Sequence, residues 1–156
     1  RYLAELTGLK PDDALLLAEV DALYEASQEL FRPLNPTINF AVGEEFLSMR
    51  SKLIEQLAPR FEDFERILGS QPTTPFFFGD DPFYCDFGVF HHVNLALDLD
   101  ENLLDPYPFL SKFLSNVERL DGVKEYLDSR PELIGVGSKP QLLIDGAAKS
   151  TGVVND

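Results

Sequence analysis

A chain of 156 residues, 44% of them hydrophobic, has the length and apolar content for one domain with a single core, which sets a disordered chain aside. Its formal net charge of −14 repels phosphate backbones and anionic lipid surfaces, so neither a nucleic acid nor a membrane is expected as a partner. No apolar run approaches the roughly 20 residues of a membrane span, no secretory leader is visible, and the single Cys85 excludes an internal disulfide, a pattern that fits a reducing, cytoplasmic setting.

The dominant period along the chain is helical. Leu16, Val20, Leu23, Leu30 and Leu34 recur at three- and four-residue steps, with Ser27 as the polar member, so they stack on one face. Pro11, Asp12 and Asp13 suit a first turn, and the spacing predicts a helix over about 11–32, ended near Pro33 and Pro36. A second helix is predicted from Gly43 along Phe46, Met49, Leu53 and Leu57, with a bend or break at Pro59, which has no N–H to donate. Phe61, Phe64 and Leu68 resume that stripe up to Gly69. Residues 69–82 read as a loop; Phe76, Phe77 and Phe78 cannot all face one side, so part of this run is expected to cover the core.

A third helix is predicted from Tyr84 to Leu97, with Asp86 on the same face as Phe90, Val93 and Leu97, an acid on an apolar stripe. A fourth is expected after Asp105 and Pro106, lined by Leu110, Phe113, Leu114 and Val117. A short fifth spans Gly122 to Ser129, with Val123, Tyr126 and Leu127 inward, and stops before Pro131. Beyond Ile134 the sequence is loop-like. Gln141 to Ile144 suits a strand, a helical turn or a loop, and residues 146–156 are expected to be mobile. With no βαβ alternation and no repeat, the fold class is all-α, a bundle of five or more helices.

Three stretches in this order resemble the C-terminal helical domain of the cytosolic glutathione transferase superfamily, nearest its sigma- and mu-like branch. Arg1-Tyr2-Leu3-Ala4 is similar to the end of the last helix of the family's thioredoxin-like domain. Phe76 to Gly79-Asp80, followed by Asp86-Phe87 and Phe90, resembles the loop and sixth helix of members. Tyr107-Pro108 with Leu110, then Gly122-Val123, Tyr126-Leu127 and Ser129-Arg130-Pro131, resembles the last two core helices. On that resemblance, residues 1–10 end a thioredoxin-like domain that is otherwise missing, 11–134 form the helical domain, and 135–156 are a tail. The chain begins at Arg1, not Met, and upstream residues are expected.

The resemblance implies a division of labour. The thioredoxin-like domain binds glutathione and activates its thiol through a Tyr, Ser or Cys. The thiolate attacks a hydrophobic electrophile held against the helical domain. No catalytic residue is therefore assigned in this chain, and glutathione is a co-substrate of the longer protein, a homodimer serving detoxification. Asp86 matches the family's buried aspartate that caps the sixth helix, although Phe83 stands where a Ser or Thr cap is usual. Glu29 falls where many members place an Asp that reaches across the dimer to the glutathione amino group; the plain alternative is a solvated helix acid. Phe31, Asn35 and Asn39 fall where the family lines its electrophile pocket, with core packing the alternative for Phe31 and turn roles for the asparagines.

His91 and His92 are adjacent, hence about 100° apart on a helix, and cannot serve one metal from one face; no metal site is expected. Cys85, at a helix start, has the position of an activated thiol or of a small packing residue. No phosphate-binding glycine loop or nucleophile elbow is present. The competing function is a non-catalytic interaction or structural module of the same fold within a larger assembly.

Overall fold

The computed structural model describes residues 1–39, 41, 43–97, 99–129, 141–144 and 147–150. Among them are seven helices: α1 (Tyr2–Thr7), α2 (Ala14–Gln28), α3 (Phe31–Asn39), α4 (Gly43–Ser70), α5 (Tyr84–Ala96), α6 (Pro108–Glu118) and α7 (Val123–Ser129). A two-stranded antiparallel ribbon follows, β1 (Gln141–Ile144) and β2 (Ala147–Ser150), with Gln141 opposite Ser150 and Ile144 opposite Ala147. Of the three options for Gln141 to Ile144 the strand is therefore the one adopted. Residues 147–150, expected to be mobile, form its partner; residues 146 and 151–156 of that expectation lie outside the described residues. The architecture of the domain is all-α.

The helix boundaries correct the sequence expectations at four prolines. The first predicted helix starts at Ala14, not Pro11, because Asp13 caps it: its carboxylate accepts the Leu16 N–H at 2.8 Å. It stops at Gln28, and a new helix begins at Phe31 and runs through Pro33 and Pro36. Pro33 occupies the first turn of α3, where an N–H has no intrahelical partner anyway. Pro36 lies deeper and removes a bond, but Leu30, Leu34 and Ile38 are all buried along this stretch and hold it down. Pro59 likewise does not break α4, which continues from Gly43 to Ser70 on the buried stripe Phe46, Leu53, Leu57, Phe61, Phe64 and Leu68.

The fourth predicted helix begins at Pro108, with Pro at its first position, and not after Asp105. Its cap comes from another helix: the Phe109 and Leu110 N–H groups donate to the two carboxylate oxygens of Glu65 on α4, at 3.0 and 2.7 Å. α7 packs on α6 with Val123 and Leu127 half-buried, whereas Tyr126, expected inward, is 59% exposed. A seven-residue helix has fewer than two turns to present, and none of its residues is fully buried.

α5 is the centre of the bundle. It packs against α2, α3 and α6, and Tyr84, Cys85, Asp86, Gly88, Val89, His92, Val93 and Ala96 are all buried. The expected single stripe was too narrow: Phe90 and Leu97 are only half-buried, because neighbours surround this helix on several sides. α2 lies close against it at Gly88, where a Cβ would stand 2.9 Å from Ser27 Oγ and 2.9 Å from Tyr24 Cδ2. The loop before α5 folds inward as expected. Phe76 and Phe77 are buried, and Phe77 sits edge-on between Phe64 and Phe113, with ring centroids 5.8 and 4.9 Å away.

Candidate functional site

Asp86 is fully buried at the start of α5. Its Oδ2 accepts the Phe83 N–H at 2.8 Å, and its Oδ1 accepts the Phe77 N–H at 3.1 Å. One carboxylate thus caps its own helix and fastens the phenylalanine loop to it. Phe83 offers no side-chain oxygen in return, so the reciprocal half of the capping box is absent. Burial pushes the carboxyl up to about 6, against the pull of the two N–H groups. The neighbouring Cys85 is buried, its Sγ 3.7 Å from Asp86 Oδ2, and burial followed by that carboxylate pushes the thiol well above its ordinary value. Cys85 is therefore a packing residue and not an activated thiol.

A cleft of about 430 Å³ opens between α2, α3 and α5, walled chiefly by Tyr24, Phe31, Tyr84, Phe87, His91 and His92, with Gln28 and Gly88 completing it. Phe31, one of the three expected pocket residues, is 46% exposed and packs edge-on against His92 with centroids 6.1 Å apart. Asn35 is half-buried on α3 but does not line this cleft. Asn39 ends α3, and its side chain is not among those described.

Tyr84 anchors one end of the cleft. Its hydroxyl donates to Asp21, which also accepts Arg1 Nε at 2.7 Å; Arg1 reaches Glu25 at 2.5 Å and lies over the Tyr24 ring. Burial, then the bond to Asp21, pushes the Tyr84 phenol up to about 12, while the phenol and Arg1 hold Asp21 below the usual carboxylate range. This group ties α1 to α2 and α5. Sequence reasoning missed it: Asp21 and Tyr84 are 63 positions apart, and nothing local marks them as partners.

Glu29, the expected glutathione contact, is the C-cap of α2, and its exposed carboxylate pairs with Arg60 of α4. Arg60 also lines a second cleft, of about 470 Å³, between α2 and α4, with Glu19, Ala22, Ala26, Phe64 and Phe78 among its walls. The structure does not bring Glu29 together with Phe31 in one cleft. Among the described residues no group of three or more His, Cys, Asp or Glu could hold a metal ion, and no helix is long and apolar enough to cross a membrane.

Residues 36–130 match the family model "Glutathione S-transferase, C-terminal domain". The chain is similar to "Probable glutathione S-transferase 6" of Caenorhabditis elegans, at 25% identity over 136 residues, covering 85% of this chain and 66% of that protein. It is 28% identical over 95 residues to human "Glutathione S-transferase Mu 4", covering 61% of this chain and 42% of that protein. The chain thus spans less than two-thirds of the length of these curated relatives. Among solved structures, the pi-class glutathione S-transferase of Onchocerca volvulus superposes with a TM-score of 0.73 at 22% identity, covering 83% of this chain and 62% of that one. Rat hPGDS superposes with a TM-score of 0.72 at 23% identity, over 85% of this chain and 65% of that one. With the family match running over more than half of its residues, from the second half of α3 through α7, the chain belongs to the glutathione S-transferase C-terminal domain family.

Proposed function

We propose that this chain is the helical half of a glutathione transferase. It supplies the hydrophobic pocket for an electrophile and part of a homodimer interface, and a thioredoxin-like half binds and activates glutathione. The observation that carries this reading is the aromatic cleft between α2, α3 and α5, in which Phe31 forms a wall. It is concave, mostly apolar, and of a size suited to a small molecule. No side chain in its lining is an activated thiol or a carboxylate, which suits a division in which this half holds the electrophile and the other half performs the sulfur chemistry. The setting proposed is cytoplasmic, and the use is detoxification, as in the family that the chain resembles.

In this reading Glu29 reaches across a dimer to the glutathione amino group. Arg60 holds its carboxylate on the exposed surface of the chain, which supports this reading. The test is conjugation of glutathione to a model electrophile by the complete gene product, beside the 156-residue chain alone. The complete product should turn over and the chain alone should not. Glu29→Gln in the complete product should weaken glutathione binding about tenfold, the scale of one charge-assisted contact. Turnover by the 156 residues alone would refute the division of labour.

One observation favours a second reading. The Glu29–Arg60 pair is closed within the chain and needs no ligand, as it would be in a non-catalytic interaction module. A complete product that neither binds glutathione nor conjugates it decides for the module.

A further inference from the structure

Among the residues that wall the aromatic cleft, one polar atom is left without a purpose by the division of labour above: Nε2 of His92. This residue is 4% exposed and forms part of the cleft wall. Its Nδ1 lies 2.8 Å from the Gly88 carbonyl oxygen. A carbonyl only accepts, so Nδ1 carries the proton, and in the neutral ring Nε2 is a bare acceptor. Burial holds the imidazole below its ordinary pKa and so favours that neutral form. Among the described residues no donor meets Nε2. A buried acceptor with no donor is costly, and such atoms call for an explanation.

The other polar groups of the cleft wall do not supply the missing donor. The Tyr84 hydroxyl is committed to Asp21, and the Gln28 amide donates to Ser27 Oγ at 3.3 Å. The surroundings of His92 are rings: Phe31 stands edge-on at 6.1 Å and His91 at 5.0 Å. Neither a lysine, an arginine nor an acid lines the cleft, so nothing there would neutralise a charged guest. Its volume of about 430 Å³ falls within the roughly 300–1,000 Å³ of small-molecule sites.

We propose that this cleft selects an uncharged aromatic molecule bearing an O–H or N–H group, which donates to Nε2 of His92 while its rings pack against Phe31 and Phe87. The inference rests on the proposed function for the role of the cleft and adds a class of ligand and a residue that sets specificity. Binding is nevertheless read without glutathione. The probes are 1-naphthol and 1-methylnaphthalene, which share their rings and differ in one donor. Fluorescence titration of the full 156-residue chain should give saturable binding of both. His92→Phe should weaken 1-naphthol about tenfold, the size of one buried hydrogen bond, and change 1-methylnaphthalene by less than about twofold. In the wild-type chain labelled with ¹⁵N-histidine, 1-naphthol should shift one unprotonated ring nitrogen upfield and 1-methylnaphthalene should not.

The nitrogen shift needs no variant, so it decides the matter if His92→Phe fails to fold. The proposal is overturned if neither probe binds, if both weaken equally in a folded His92→Phe chain, or if the nitrogen shift is the same for both probes. Donor selectivity without any conjugation by the complete product would sink the transferase reading and leave this one standing. Conjugation without donor selectivity would do the reverse.

Discussion

Asp86 spends its two oxygens on two donors from different segments, the Phe83 N–H in its own first turn and the Phe77 N–H nine residues earlier. Removing the carboxylate strands both donors inside the core. Asp86→Ala should therefore cost about 2–4 kcal/mol in denaturant unfolding, and Asp86→Asn less, since an amide oxygen still accepts. The pH dependence has a definite sign. The folded-state pKa is raised from an ordinary 3.8 to about 6, so the folded chain keeps its proton in a range where the unfolded chain has lost it. Stability from this group is fully present below about pH 4 and declines as pH rises toward 6. The melting temperature of the wild type should fall relative to Asp86→Asn across that window; a difference independent of pH would remove the carboxyl as its source. This residue was legible because an acid on an apolar stripe, matching a family position, is a local signal. The acceptor of His92 and the Tyr84–Asp21 bond were not legible, because each depends on which helices meet.

At the scale of elements, α2, α4, α5, α6 and α7 were readable from their stripes, whereas α3 as a separate helix and the helix ends were not. A proline inside a helix costs about 3 kcal/mol or more, whereas burying each large aliphatic side chain stabilises by about 1.5–3 kcal/mol. Leu30, Leu34 and Ile38 together outweigh Pro36, and six buried residues along α4 outweigh Pro59. Counting only the local penalty placed breaks where tertiary packing removed them. The start of α6 was misplaced for a similar reason, since Glu65, its cap, sits 44 residues before Phe109. The α2–α5 contact gives a test of packing against propensity. Gly88→Ala gains up to about 1 kcal/mol of helix propensity but drives a methyl to 2.9 Å from Ser27 Oγ and Tyr24 Cδ2. Overpacking costs about 1–3 kcal/mol, so the variant should be less stable than the wild type by about 1 kcal/mol. A stabilised variant in thermal unfolding would mean that the two helices separate easily.

For the molecule as a whole, charge is the unbalanced quantity. There are 27 acids to 13 bases, and the ion pairs of the described residues are exposed or half-exposed, the kind worth about 0–1 kcal/mol each. Repulsion among the surplus acids should outweigh the pairs. Raising NaCl from about 20 to about 200 mM shortens the screening length to under about 10 Å and should raise the melting temperature by about 2–4 °C. A fall would show that the pairs dominate. At this scale the fold class was evident from the sequence, since helical periodicity is repeated along the chain. The aromatic cleft was not, because its walls come from α2, α3 and α5 and only Phe31 carried a prior expectation.

The bond from Phe77 to Asp86 has a consequence for the wear of the molecule. The connection between α4 and α5 carries Gln71, Pro72 and Thr73 toward solvent, a place where digestive enzymes would ordinarily nick a polypeptide. Because Phe77 just beyond them is moored to the central helix, the strip cannot peel away to fit a cleavage groove without exposing a core ring. Limited thermolysin digestion should leave this connection intact in the wild type and sever it early in Asp86→Ala, so that one carboxylate at the centre governs how long the surface survives.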